Sequence, residues 1–138
     1  MFARGFTLFE VLVVLVVVSI LAAVALPAYR HHLLRVNRAE AMTLLLRLQS
    51  AEESHYLRHD HYTASIDVAP PAGLGMPVAS TSGNYTLSVS IAVDGQSYIA
   101  TATPEGGQTA DLECLAFSID ARGRRAVTGS AGVRRCWI

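Results

Sequence analysis

The chain reads as an α+β fold: a long N-terminal helix, half of it transmembrane in character, packed on a small antiparallel β-sheet with a disulfide-closed C-terminal loop. Three observations carry this reading. Of 138 residues 71 are apolar, and 23 of those lie in the first 30 positions, so the hydrophobic excess is local and the remainder has an ordinary soluble composition. From Ala28 to about Leu57 there is neither Gly nor Pro, and Leu, Ala, Glu, Arg, Gln and Met dominate, all good helix formers. After residue 84, apolar and polar residues alternate between turn signals, the pattern of half-buried strands. The length suits one domain with a modest core and not two.

Element by element, Met1 to Gly5 carries a single positive charge at Arg4, and Val11 to Leu26 is a run of 16 residues with Ser19 its one polar member. As a helix, Phe6 to Leu26 would span about 31 Å, close to the thickness of a bilayer core. Pro27 either kinks or loosens the helix or ends the membrane span, and the helix-forming composition beyond it allows both. Leu34, Ala41, Leu45, Leu48 and Tyr56 form one stripe of the following amphipathic segment, with Arg35, Arg38, Arg47, Glu53 and Arg58 mostly off it. The stretch 59–84, with Pro70, Pro71, Gly73, Gly75, Pro77 and Gly83, is a connecting loop. Tyr85, Leu87, Val89, Ile91 and Val93 then alternate as a strand. Asp94-Gly95 signals a hairpin, and Tyr98 to Thr103 is the return. Leu115, Phe117 and Ile119 give a third strand, and Arg125 to Thr128 a short fourth after the Arg122-Gly123 turn. The sheet should bury its Leu87, Val89 and Ile91 face against the helix.

Composition also excludes. Net charge is zero, with 11 basic and 11 acidic residues, so bulk charge makes no generic polyanion binder. No phosphate-binding glycine loop, dinucleotide fingerprint or nucleophile elbow is present, and Ser, His and Asp fall in no catalytic arrangement. No enzymatic activity and no cofactor is expected. Two cysteines, Cys114 and Cys136, are too few for a four-Cys zinc site. After a membrane-directing segment they suggest one disulfide in an oxidising compartment, the alternative being two free thiols.

Three N-terminal readings compete: a secretory signal cleaved near Ala23-Val24-Ala25, a plain membrane anchor, and a leader cut before the apolar run. Glu10 discriminates. A carboxylate at the head of an apolar run is costly in lipid, and neither a signal nor an anchor gains from it. A helix that leaves the membrane to pack against copies of itself would gain, because a neighbour's free amino terminus could neutralise the charge.

Arg4-Gly5-Phe6-Thr7-Leu8-Phe9-Glu10, followed by the long apolar run and Pro27, resembles a type IV prepilin. Thr101-Ala102-Thr103-Pro104, Asp111, Cys114, Asp120-Ala121-Arg122-Gly123 and Cys136-Trp137 resemble the C-terminal end of PilE-like pilins, most like a PilE-type minor pilin. The resemblance implies a leader at 1–5, an assembly helix at 6–30 and a globular head at 31–138. It implies peptidase cleavage after Gly5, methylation of the new N-terminal Phe6, and assembly through Glu10 and Pro27. It implies a Cys114–Cys136 bridge enclosing a surface loop. The partners would be other major and minor pilin subunits, the prepilin peptidase, the inner-membrane pilus assembly platform, and membrane lipid before assembly. The location would be the inner membrane, single-pass, and then the extracellular fibre. The function implied is a pilus subunit, a minor pilin that primes or joins the fibre in pilus biogenesis, twitching motility and adhesion. A major pilin, a type II secretion pseudopilin, a secreted soluble binding domain and a DNA-uptake receptor pilin are the alternatives.

Two clusters remain. Residues 94–120 hold Asp94, Glu105, Asp111, Glu113 and Asp120 with no Arg, and 122–138 hold Arg122, Arg124, Arg125, Arg134 and Arg135 with no acid. The arginines could meet an acidic patch on a neighbouring pilin, ranked ahead of DNA, or form a solvated surface. Glu52, His55 and His59 share one helix face, with Asp60 and His61 close by. One face of one helix supplies few metal ligands, so an exposed polar helix end is expected there and no metal. His31 and His32 read as interfacial side chains.

Overall fold

A computed structural model describes residues 7–137. Gly5 and Phe6, the expected processing site, lie outside the described residues. The elements run α1 (Leu8–His59), β1 (Tyr85–Ile91), β2 (Tyr98–Pro104), a 3-10 turn (Gly106–Ala110), β3 (Phe117–Asp120), β4 (Arg125–Val127) and α2 (Val133–Cys136). The chain divides into two compact units between Arg35 and Val36.

The first unit is the apolar part of α1. Pro27 sits inside the helix, which neither ends nor melts there. The lost amide of Pro27 leaves the Ala23 carbonyl without its helical donor, a local cost that the flanking turns absorb.

In the second unit the four strands form an antiparallel meander in the order β1-β2-β3-β4. Tyr85 faces Pro104 across β1–β2, Ala102 faces Phe117 across β2–β3, and Phe117 faces Val127 across β3–β4. The inner face carries Tyr85, Leu87, Tyr98, Ala100, Ala102, Phe117 and Ile119, packed with Ala41, Leu44, Leu45 and Leu48 of α1. The small Ala100 and Ala102 leave room in mid-sheet for the larger side chains that meet them.

The structure corrects several boundaries. Val89 and Ile91 are only partly buried, and Val93 is fully exposed rather than part of the strand. The turn begins earlier than the alternation suggests: Ala92 donates to Ser97, and Gly95, at φ 70°, donates back to Ala92. Leu115 has φ 50°, a left-handed conformation outside any strand, so β3 starts at Phe117. Beyond His59, the last residue of α1, the 59–84 segment has no helix or strand, only a lone bridge from Ala79 to Thr86, but is folded on itself. Leu74 bonds to Ser65 and Met76 to Ile66, with Tyr62, Ile66 and Leu74 in the core. Arg38, expected off the core stripe, is buried, as are Glu52 and His55. The expected exposed polar helix end is therefore partly interior.

Candidate assembly helix and polyanion interface

The first candidate surface is the apolar face of α1. It is long and apolar enough to cross a membrane, and none of its apolar window is buried. Leu8, Phe9, Val14, Leu15, Ile20 and Val24 are all exposed. From Leu8 to Leu26 the helix measures about 29 Å. Its start is built by Thr7, whose side-chain oxygen accepts the Glu10 amide at 3.2 Å. Thr7-Leu8-Phe9-Glu10 has the spacing of a capping box, with an acid where the helix dipole favours one. Glu10 therefore has a local reason to be at this position in any helix beginning here, which weakens the premise that an anchor gains nothing from it. Thr7 went unrecognised in the sequence, although the Thr-x-x-Glu spacing signals it.

The second candidate surface is the C-terminal tail. Cys114 and Cys136 are joined by a 2.09 Å S–S bond across a sequence separation of 22. Around the bridge, Thr128 donates to Ala116, Gly129 to Cys114, and Ala131 to Glu113. A Cβ on Gly129 would lie 2.2 Å from the Glu113 carbonyl oxygen, so the close strand-like approach requires glycine. Trp137 is 8% exposed; its ring lies edge-on to Phe117 and its indole N–H donates to the Ala126 carbonyl at 3.1 Å. Buried this way, Trp137 offers no platform for stacking a base. The Arg125 guanidinium instead covers its ring, 4.9 Å from the centroid.

All five tail arginines are exposed: Arg122, Arg124, Arg125, Arg134 and Arg135. The acidic segment that precedes them is only in part their counterpart. Asp111 is buried and takes both arms of Arg38, each at 2.7 Å. Glu113 takes a third bond from Arg38 at 3.0 Å, which holds its carboxyl below the usual range. The hydrogen bond to Asp111 likewise makes Arg38 a still weaker acid than usual. Asp120 pairs with Arg124 at 2.6 Å and also accepts the Arg122 and Arg124 amides. Burial pushes the Asp120 carboxyl up, but the Arg124 amide and guanidinium outweigh it and hold the group low.

Around Arg38 the network continues. Asn37 donates to Gln108, and Gln108 donates to the Tyr85 hydroxyl, whose pKa burial pushes up to about 12. Arg38 and Asp111 stand 73 positions apart, and no local pattern in the sequence announces the pair. Among the described residues the ion pairs are Arg38–Asp111, Arg38–Glu113 and Arg124–Asp120. Of the acids of 94–120, Asp111 and Glu113 are thus taken by Arg38 and Asp120 by Arg124, while Asp94 and Glu105 are exposed. Arg122, Arg125, Arg134 and Arg135 stand outside those pairs, leaving the tail face basic on a chain of zero net charge.

At the other end of the head, among the described residues, no group of three His, Cys, Asp or Glu side chains is arranged to hold a metal ion. Glu52, His55, His59 and His61 do gather there, with the rings of His55 and His59 4.4 Å apart.

Fold and surfaces together define a chain with an unburied apolar helical unit and a disulfide-tied α+β unit. A family model described as "Type IV minor pilin ComP, DNA uptake sequence receptor" matches residues 27–118, and one described as the prokaryotic N-terminal methylation motif matches residues 1–26. The chain belongs to the type IV pilin family. It is 39% identical over 89 residues to a type IV major pilin protein PilE1 of Neisseria gonorrhoeae, covering 64% of this chain and 40% of that one. A fimbrial protein of Neisseria meningitidis serogroup A is 37% identical over 91 residues, covering 64% and 49%. The chain spans about half the length of the curated relatives it matches. A solved type IV pilin from Shewanella oneidensis shares the fold, with a TM-score of 0.52 at 23% identity over 71% of this chain and 96% of that one.

Proposed function

We propose that this chain is a minor type IV pilus subunit, cleaved by the prepilin peptidase after Gly5 and methylated at Phe6. It is held in the inner membrane by its apolar helix until the assembly platform extracts it into the fibre. The observation that carries this reading is the wholly unburied apolar stretch of α1. Such a face is satisfied first by lipid and then by the same face of neighbouring pilins. Glu10 is neutralised by a neighbour's Phe6 amino group, which sets the axial register, and Pro27 supplies a point where the helix can loosen on packing. Intact mass from cell envelopes tests the processing. A chain beginning at Phe6, one methyl group heavier and two hydrogens lighter than the reduced sequence, is expected; a chain beginning near Leu26 overturns the reading. Glu10→Ala should insert normally and fail to enter sheared fibres. Low abundance in those fibres accords with a minor subunit, whereas dominance would make it a major one.

The exposed arginines favour a second role, reception of DNA. The pairing of Asp111 and Glu113 with Arg38 and the description of the family matched over 27–118 support it. Replacing Arg122, Arg125, Arg134 and Arg135 by Gln should lower DNA retention and flatten its salt dependence. The log–log slope should become shallower by about 0.9 for each phosphate that is no longer neutralised. Unchanged retention would leave those arginines to pilin contacts or to solvent.

A further inference from the structure

The histidines at the end of α1 are used by neither role. His55 is buried, and its ring lies 4.4 Å from that of His59 and 5.5 Å from that of His61. The His59 and His61 rings are 6.0 Å apart. The three rings sit where three parts of the head are tied together. His55 Nδ1 bonds to the His61 carbonyl at 3.1 Å, and His61 Nδ1 to the His59 carbonyl at 2.8 Å. The Tyr62 amide donates to Gly95 in the β1–β2 loop, the Gln96 side chain donates to the Asp60 carbonyl, and Tyr56 bonds to Gln96. A Cβ on Gly95 would lie 3.3 Å from the His61 Cβ, so the loop abuts the cluster.

We propose that His55, His59 and His61 form an acid-sensitive latch that holds the end of α1 and the 60–66 turn against the β1–β2 hairpin and releases them as the medium acidifies.

The physical reason is crowding of like charge. Imidazoles at these separations cannot all become cations without strong mutual repulsion. Nε2 of His59 is buried and has no hydrogen-bond partner, so a proton placed there meets no acceptor. Burial, followed by His55, His61 and Arg58, lowers the pKa of His59. The closed latch therefore binds fewer protons than the open one. Its stability is complete above the ordinary imidazole value of 6.5 and is lost as pH falls below it.

The other groups at the junction are identifiable. On α1 stand Glu52, Glu53 and Arg58. Glu52 accepts the Thr63 amide at 3.1 Å, and Glu53 accepts the Tyr62 hydroxyl. On the turn stand Asp60 and Tyr62, and Tyr62 packs edge-on against Tyr98 of β2. On the loop, Asp94 accepts the Gln96 amide. Glu52 works against the histidines. Burial raises its carboxyl to about 6 from 4.5, so its protonation favours the closed form in acid. The carboxylate thus moderates the release, and the crowded His59 imidazole drives it.

Amide exchange on the full chain in detergent micelles tests the latch. Between pH 7.5 and 5.5, protection of the Tyr62 amide should fall about tenfold relative to the Thr128 amide, which bonds to Ala116 at the far end of the sheet. His55→Gln/His59→Gln should abolish the fall. His59→Gln alone, at a partly exposed position, should reduce it if the double variant does not fold. Glu52→Gln should steepen it. A fall that appears only in Glu52→Gln still supports the latch, with the carboxylate masking it in the parent chain. An undiminished fall in the histidine variants, or no fall in both the parent and Glu52→Gln, overturns it.

Discussion

The two halves of α1 share one backbone and obey opposite rules. Before Arg35 the helix is apolar and exposed; beyond it, the buried positions include Arg38, Glu52 and His55 among the leucines. The apolar window of the first half is unburied, so its side chains need only suit whatever surrounds them, lipid or another subunit. The second half has a sheet and loops against it, so it can bury charge wherever a partner is supplied. Arg38 has Asp111 and Glu113, and Glu52 has the Thr63 amide. Hydrophobicity in this chain therefore reports the surroundings of a segment, and burial reports its partners.

Four substitutions, with Leu15→Ala as a control, sharpen or break that contrast. Arg38→Met should have the largest effect, about 3–5 kcal/mol of head stability by denaturant unfolding, because it strands Asp111 in the interior. If the loss is under about 1 kcal/mol, the pair does not hold the head together. Leu45→Ala, at a fully buried site, should cost about 3 kcal/mol, whereas Leu15→Ala should leave head unfolding unchanged. Equal effects would erase the division between the halves. Glu52→Gln should stabilise the head at pH 7.5 by about 1–2 kcal/mol, because the native carboxyl, raised to about 6, loses its advantage as pH rises through that value. The gain should fall steeply below pH 6 and vanish only about a unit below 4.5, where the carboxyl is protonated in the folded and the unfolded chain alike. Thr7→Ala should be the smallest, about 1 kcal/mol confined to the first turn of α1 and read as faster exchange of the Glu10 amide.

What the sequence made legible was periodic or local. The alternation from Tyr85 to Ile91, the Asp94-Gly95 turn and the gap-free helical composition each carry their meaning within a few residues, and the elements fall close to where they were expected. The pilin motif at Arg4 to Glu10 is local in the same sense. What stayed hidden was relational. The Arg38–Asp111 pair joins the helix to a loop with no shared pattern. The acidic and basic blocks of 94–120 and 122–138 therefore looked like opposed surface patches, when Asp111 and Glu113 of the first are taken by Arg38 of the helix. The helix α2 spans four residues and is held by Cys136 and Trp137, too short for any periodicity to reveal. Glu52 and His55 read as a solvated helix end because the turn that covers them has no regular structure.

The indole of Trp137 bonds to the Ala126 carbonyl on β4, and Val78 and Ser80 lie along β1, accepting from Leu87 and donating to Tyr85. At both margins of the sheet the chain itself thus takes up backbone groups, at Ala126 on β4 and at Tyr85 and Leu87 on β1. An open strand margin recruits another chain by simple backbone pairing. Each group taken up internally is one fewer that edge-to-edge pairing between heads can use. The tail and the loop before β1 thus protect the sheet from aggregation as well as completing its fold.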